Sequence, residues 1–388
     1  MNPRELILPL ALFLVVLASG CTQQDFQAAN EAGDSSPIDA GTCTKPVFEY
    51  PPVDLDETSI LVPLGLMFGN HVTPVDHQYF QNYAEPEKNI AVYSPGDGRI
   101  RTIQHMSGTY YDAGKGQEVE WDDYRLEIEH ACGVSSTFIH IDTLSDKIAQ
   151  HAPEKGKNVV VDIPVAAGEG IGHYTGNVDY NLVDVAVILP GLLVPEHYER
   201  EPWKIHVPDT LQYFTDPIRT SMIAKSIRTA EPVAGKFDHD IDGRLIGNWF
   251  EEGTNGYAGA NLEKYWVGHL SISPDYIDPN HVIVSMGDFA DTEKQFGVAG
   301  NAPDPADVSV VTGLVEYALV DYDYFVPDGS LWDKISVAKG ITAKNGDDVQ
   351  GVILLQLVED RKLRVEIFPG KKAMEVSGFT ASAKMYER

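Results

Sequence analysis

Beyond residue 50 the chain consists of short apolar runs broken by turn residues, and this texture excludes a helical bundle. Tyr124-Arg125-Leu126-Glu127-Ile128-Glu129 alternates apolar and polar positions strictly, the period of a strand with one buried face. Asn89 to Tyr93 leads into Ser94-Pro95-Gly96-Asp97-Gly98, a strand followed by turn chemistry. Asn158 to Ile163 and Val183 to Leu189 are rich in β-branched residues, as expected of buried strands. Six more such runs follow, at Leu245–Phe250, Tyr265–Ile272, Val282–Met286, Val308–Asp321, Val352–Glu359 and Leu363–Phe368. Only two stretches have helical spacing. One is Thr143 to His151, with Leu144 and Ile148 four apart. The other is Asp209 to Thr229, carrying Leu211, Phe214, Ile218, Met222 and Ile223. The second follows Pro195 and Pro202 and places a domain junction near 195–205. With 388 residues, 43% of them hydrophobic, there is material for more than one core. The fold class predicted is mainly β, with an antiparallel barrel or sandwich at the C-terminal end.

Charge and the N-terminus limit the setting. Asp and Glu number 58 against 29 Lys and Arg, a net charge of −29. Such acidity repels nucleic acid and anionic membrane surfaces. Residues 1–20 carry one basic side chain, Arg4, and an apolar run from Leu6 to Leu17. That run is shorter than the ~20 residues a spanning helix needs and has the length of a signal-peptide core. Ala18-Ser19-Gly20-Cys21 resembles a lipobox, the signal for cleavage and lipidation at the cysteine. The alternative is an ordinary secretory signal; either way the mature chain is expected outside the cytoplasm. Residues 21–48 are mostly polar and small, a tether between anchor and folded body. With Cys21 lipidated, Cys43 and Cys132 remain, and an oxidising compartment suggests that they pair. The alternative is two unpaired thiols. A bridge would add roughly 4 kcal/mol in the chain-entropy model.

Four segments follow in a telling order: Gly69-Asn70-His71-Val72-Thr73-Pro74-Val75-Asp76-His77; Val92-Tyr93-Ser94-Pro95-Gly96-Asp97-Gly98; His130 with Thr137-Phe138-Ile139-His140-Ile141; and Val165-Ala166-Ala167-Gly168-Glu169-Gly170-Ile171-Gly172, continuing to Leu182-Val183-Asp184. Over residues 60–190 this order resembles the lysostaphin-type zinc metallopeptidase family, whose β fold is also called the duplicated hybrid motif. The resemblance implies a β-sandwich or barrel-sandwich domain over 49–195, followed by a second antiparallel β domain over 205–388. It also implies zinc held by the His and Asp of a first pair and by a His of a terminal His-Leu-His. Here Thr73 stands at the first His position and His77 at the Asp position. Leu182-Val183-Asp184 stands in place of His-Leu-His. The resemblance therefore assigns His77 and Asp184 as metal ligands, with His71 or Asp76 completing the set by a local register shift. It assigns His140 to polarising the attacking water or the oxyanion. A charged Asp184 in an apolar run needs a partner, which a metal or an imidazolium would supply; a structural hydrogen-bond network with His77 or His140 would serve equally. His130 reads as structural.

Other motifs carry less. Asp238-His239-Asp240-Ile241-Asp242-Gly243 opens like a calcium loop, but Trp249 stands where the closing Glu belongs, so an acidic turn is the preferred reading. Gly247-Asn248-Trp249 is similar to the Gly-x-Trp of lipocalin-like barrels. Tyr317, Tyr322, Tyr324 and Phe325 surround Asp321 and Asp323, an arrangement of packed strands or of a sugar- or peptide-binding platform. No phosphate loop, serine elbow or Cys-x-x-Cys is present. The expectation is a membrane-anchored lipoprotein acting on, or recognising, an envelope peptide or glycan. The rival is a catalytically inactive binding or scaffold module.

Overall fold

The computed structural model describes residues 43–112 and 116–388. The signal peptide, Cys21 and the tether up to residue 42 lie outside the described residues. The chain is mainly β, built of antiparallel sheets and a closed barrel.

The first sheet has seven strands in the order β1-β2-β10-β6-β5-β4-β8. Their ranges are β1 Ile60–Val62, β2 Gln78–Gln81, β4 Gly98–Asp112, β5 Gln117–Glu129, β6 Val134–Ile141, β8 Asn158–Val165 and β10 Asn177–Asp184. A second sheet, β3 (Ile90–Tyr93), β9 (Gly170–Tyr174) and β7 (Thr143–Leu144), packs on its inner face. The alternation in β5 sends Leu126 and Ile128 inward, where they meet Phe80, Phe138 and Tyr180 from the large sheet and Val92 and Ile171 from the small one. Both glycine turns have a steric reason. A Cβ at Gly98 would lie 2.7 Å from the Glu129 carbonyl oxygen, and Gly168 has φ +77°, a region open to glycine without strain.

Two expectations change here. Val183–Leu189 is not a strand: β10 ends at Asp184, whose side chain accepts from the Ala186 N–H at 2.9 Å. The chain then turns outward, leaving Val185 and Ile188 exposed. Helix is scarce: Asp209–Thr229 forms a 3-10 turn (Thr210–Tyr213) and an eight-residue helix, α1 (Ile218–Lys225). Leu211, Tyr213, Phe214 and Met222 pack into the first core. Part of the segment beyond residue 205 thus returns to the first sheet before the chain enters the barrel.

The barrel strands run in sequence order: β11 Gly247–Glu251, β12 His269–Pro274, β13 Val282–Met286, β14 Lys294–Val298, β15 Val315–Phe325, β16 Thr342–Glu359, β17 Lys362–Pro369 and β18 Lys384–Glu387. Pairing of β11 with β18 closes the ring and leaves no free edge. Trp249, Phe296, Ile353 and Leu355 are among the side chains that fill it. Trp249 lies under the Arg388 guanidinium, 4.0 Å from its ring.

The N-terminal stretch is tied down by several contacts. Cys43 and Cys132, 89 residues apart, form a disulfide. Lys45 reaches Asp184 at 2.6 Å. Phe48 bridges in parallel to Phe214.

Candidate functional site

The outer face of the seven-stranded sheet carries the chemistry. On β10, Val178, Tyr180 and Leu182 enter the core, so Asp179 and Asn181 face outward. Tyr79 of β2 lies directly opposite Asp179. His140 reaches this face through a bulge. Leu126 pairs with Phe138 and Tyr124 with Ile141, so Ile139 and His140 together oppose Arg125. A bulge of this kind re-aims a side chain. His140 sits at φ +72°, a left-handed conformation that is strained for a residue with a Cβ.

Hydrogen bonds and close charges join these groups. His140 Nδ1 bonds Asp123 Oδ2 at 2.7 Å, and His140 Nε2 lies 3.8 Å from Asp179 Oδ2. His77 Nε2 lies 3.4 Å from the same Asp179 oxygen and 2.9 Å from the Tyr79 hydroxyl. His77 Nδ1 is 3.3 Å from Asp76 Oδ1. His71 stands beside His77, with ring centroids 6.0 Å apart.

Asp76 is the centre of the network. Lys204 donates to its Oδ1 at 2.9 Å. Trp203 Nε1 and Asn181 Nδ2 donate to its Oδ2 at 3.0 and 3.1 Å. Trp203 and Lys204 both come from a 3-10 turn, Pro202–His206, in the connection between the two sheet systems. That turn lies across the outer face. Lys204 also reaches Glu201 at 3.0 Å and the ring of Tyr257 at 4.7 Å. Burial of its ammonium is therefore balanced by two carboxylates and an aromatic face.

The electrostatics follow from burial and partners. For His140, burial opposes the charge, but Asp179 and Asp123 outweigh it and raise its pKa to about 9, so the ring is an imidazolium at neutral pH. Burial, His77 and Lys204 push His71 down to about 3. Asp76 is held well below the ordinary carboxylate range: burial opposes this, and Lys204 and His77 overcome it. Asp179 is raised by burial against the pull of His140 and His77. Among the described residues, Asp123 Oδ1 and Asn181 Oδ1 are buried acceptors without a hydrogen bond.

Of the residues assigned from the sequence, His71, His77 and His140 come together; Asp184 does not. It sits five residues from Asp179 at the other end of β10, about 17 Å at ~3.3 Å per residue. There it accepts from the Tyr213 hydroxyl at 2.5 Å and pairs with Lys45. Burial would raise its pKa, and those two partners bring it below the ordinary value. On this strand the outward-facing pair is Asp179 and Asn181. Lys204, Trp203, Asp123 and Tyr79 were missed as well. The alternation Val178-Asp179-Tyr180-Asn181-Leu182 was the available signal for the first pair. Nothing local marks Lys204 or Trp203.

Zinc does not fit this arrangement. Both oxygens of Asp76 are committed to donors, and an ammonium already faces the carboxylate a metal would need. Among the described residues no group of three or more His, Cys, Asp or Glu side chains could hold a metal ion. The calcium-like loop is also dispersed. Asp238 pairs with Lys236 and Asp242 with Arg361, while Asp240 accepts from the backbone of Asn248 and Leu193. His130 is structural, bonding the Asp97 carbonyl at 2.9 Å and Ser136 at 2.6 Å.

The fold and site together define a two-part β protein with a buried ion-pair cluster on the outer face of its first sheet. No protein-family model matches the chain, and no curated protein matches it. Among solved structures it is similar to a zinc-containing peptidase from Vibrio cholerae, with 20% identity and a TM-score of 0.22. The match covers 36% of this chain and 37% of that one.

Proposed function

We propose that the protein is an exported, lipid-anchored binding module of the cell envelope, with a peptidase-like first domain that does not hydrolyse. The observation that carries this reading is the Lys204 ammonium on Asp76, with Glu201 as its second partner. A lysine there supplies the positive charge that keeps Asp76 ionised, without offering a coordination position for an attacking water. Export and anchoring are supported by the lipobox-like Ala18-Ser19-Gly20-Cys21 and by a disulfide, which suits an oxidising compartment. The ligand class, a peptide or peptide-linked glycan of the envelope, follows from the resemblance of residues 60–190 described above.

The test is incubation of the purified chain with envelope peptides and peptide-linked glycans, with and without added zinc. The expected result is retention without cleavage and no dependence on zinc. Zinc-dependent cleavage, lost in His71→Ala and His140→Ala, would support the hydrolase reading instead.

A further inference from the structure

We propose that the cavity between the first sheet and the barrel binds an uncharged, mainly apolar ligand carrying one hydrogen-bonding group. The cavity has a volume of about 670 Å³, within the range of pockets that take small molecules. One wall is aliphatic: Ile60 and Val62 from β1, with Leu66 and Ile227. The facing wall is aromatic, from Tyr324 and Trp332. Both aromatic residues have their polar atoms committed elsewhere, Tyr324 OH to Asp275 at 2.6 Å and Trp332 Nε1 to the Ser336 carbonyl at 2.8 Å.

Into this apolar space faces a carboxamide without a protein partner. Gln81 is 2% exposed and lines the cavity, and among the described residues its carboxamide makes no hydrogen bond. Gln78, three residues earlier on the same strand, shows the contrast: it accepts from Thr210 at 2.7 Å and donates to the Ala234 carbonyl at 3.3 Å. A ligand with a matching N–H or C=O gives this carboxamide the partner that the protein does not supply.

The mouth sets the charge preference. Lys334 is paired with Asp323 at 3.0 Å, and Asp333 accepts from the N–H groups of its own turn. These lining charges are two carboxylates against one ammonium, on a chain of net charge −29, so an anionic ligand meets net repulsion.

The experiment uses a matched pair of fluorescent probes on the full chain. N-phenyl-1-naphthylamine is neutral, and 1-anilinonaphthalene-8-sulfonate adds a sulfonate to the same rings. The neutral probe is expected to bind saturably at one site, with energy transfer from tryptophan that falls in Trp332→Phe, and about tenfold more tightly than the sulfonate. Gln81→Leu, which keeps the volume and removes the amide, is expected to weaken it about fivefold. Leu331→Arg, at the exposed mouth and independent of core folding, is expected to weaken it by a similar factor. Absence of saturable binding overturns the proposal. So does equal affinity for the sulfonate, or affinity unchanged in both Gln81→Leu and Leu331→Arg.

Discussion

Lys204 and Asp76, 128 residues apart in sequence, meet at 2.9 Å on the outer face of the first sheet, each less than a tenth exposed. The contact joins the connecting turn to the sheet, holds Asp76 ionised and helps to keep His71 neutral. A buried pair of this kind is costly to break from one side, because the remaining charge has no water to turn to.

Lys204→Met is therefore expected to lower stability by about 3–5 kcal/mol. Asp76→Asn leaves a neutral side chain against an ammonium that Glu201 still holds, and should cost less. The double variant is expected to be more stable than the sum of the two losses implies. Denaturant unfolding of the three variants measures the coupling; strict additivity would show that the pair does not interact.

His140 gives an alkaline limb to stability. Its pKa is about 9 in the folded protein against 6.5 for the free side chain. Between those values the folded state holds a proton that the unfolded state has lost. Stability from this group is therefore fully present below pH 6.5 and lost as the pH rises through about 9, an effect on the order of 3 kcal/mol. His71 works in the opposite sense. With a folded pKa of about 3, it binds protons less readily than the unfolded chain, so its contribution is lost as the pH falls from 6.5 towards 3. Unfolding free energies at pH 6.5 and at about 9.5 check the first limb, and His140→Gln is expected to flatten it.

Asp184 is expected to act on the anchoring of the N-terminal stretch and not on the cluster. Asp184→Asn weakens the bonds from Lys45 and Tyr213, at a cost of about 1–3 kcal/mol. The His140 titration, followed by NMR, should not move. A shift of the His140 pKa in this variant would place Asp184 back in the site.

Cys43→Ser removes the bridge that closes the 89-residue separation and is expected to cost roughly 4–5 kcal/mol in the chain-entropy model. Comparison of melting with and without reductant reads the same quantity in the unmodified chain.

Strand positions were largely legible because period-two alternation is a local property. Val282–Met286 is β13 as expected from the sequence, and Leu363–Phe368 lies inside β17. The helical pattern at Asp209–Thr229 misled because its apolar side chains are spent on contacts with the first core, which a 3-10 turn and a short helix make equally well. His71, His77 and His140, which the family resemblance assigns, lie near one another on the outer face. Asp184, which the resemblance assigns as a ligand, lies apart from the histidines, and Lys45 and Tyr213 satisfy its charge. Lys204 was invisible for a different reason: its role comes from a crossing of the connection over the sheet, and no local period encodes that.

The most direct measurement is the zinc content of the purified chain after equilibration with excess zinc and removal of free metal. The account predicts far less than one zinc per chain, with melting unchanged by a chelator. One tightly held zinc per chain, lost in His71→Ala or Asp76→Ala, would contradict it.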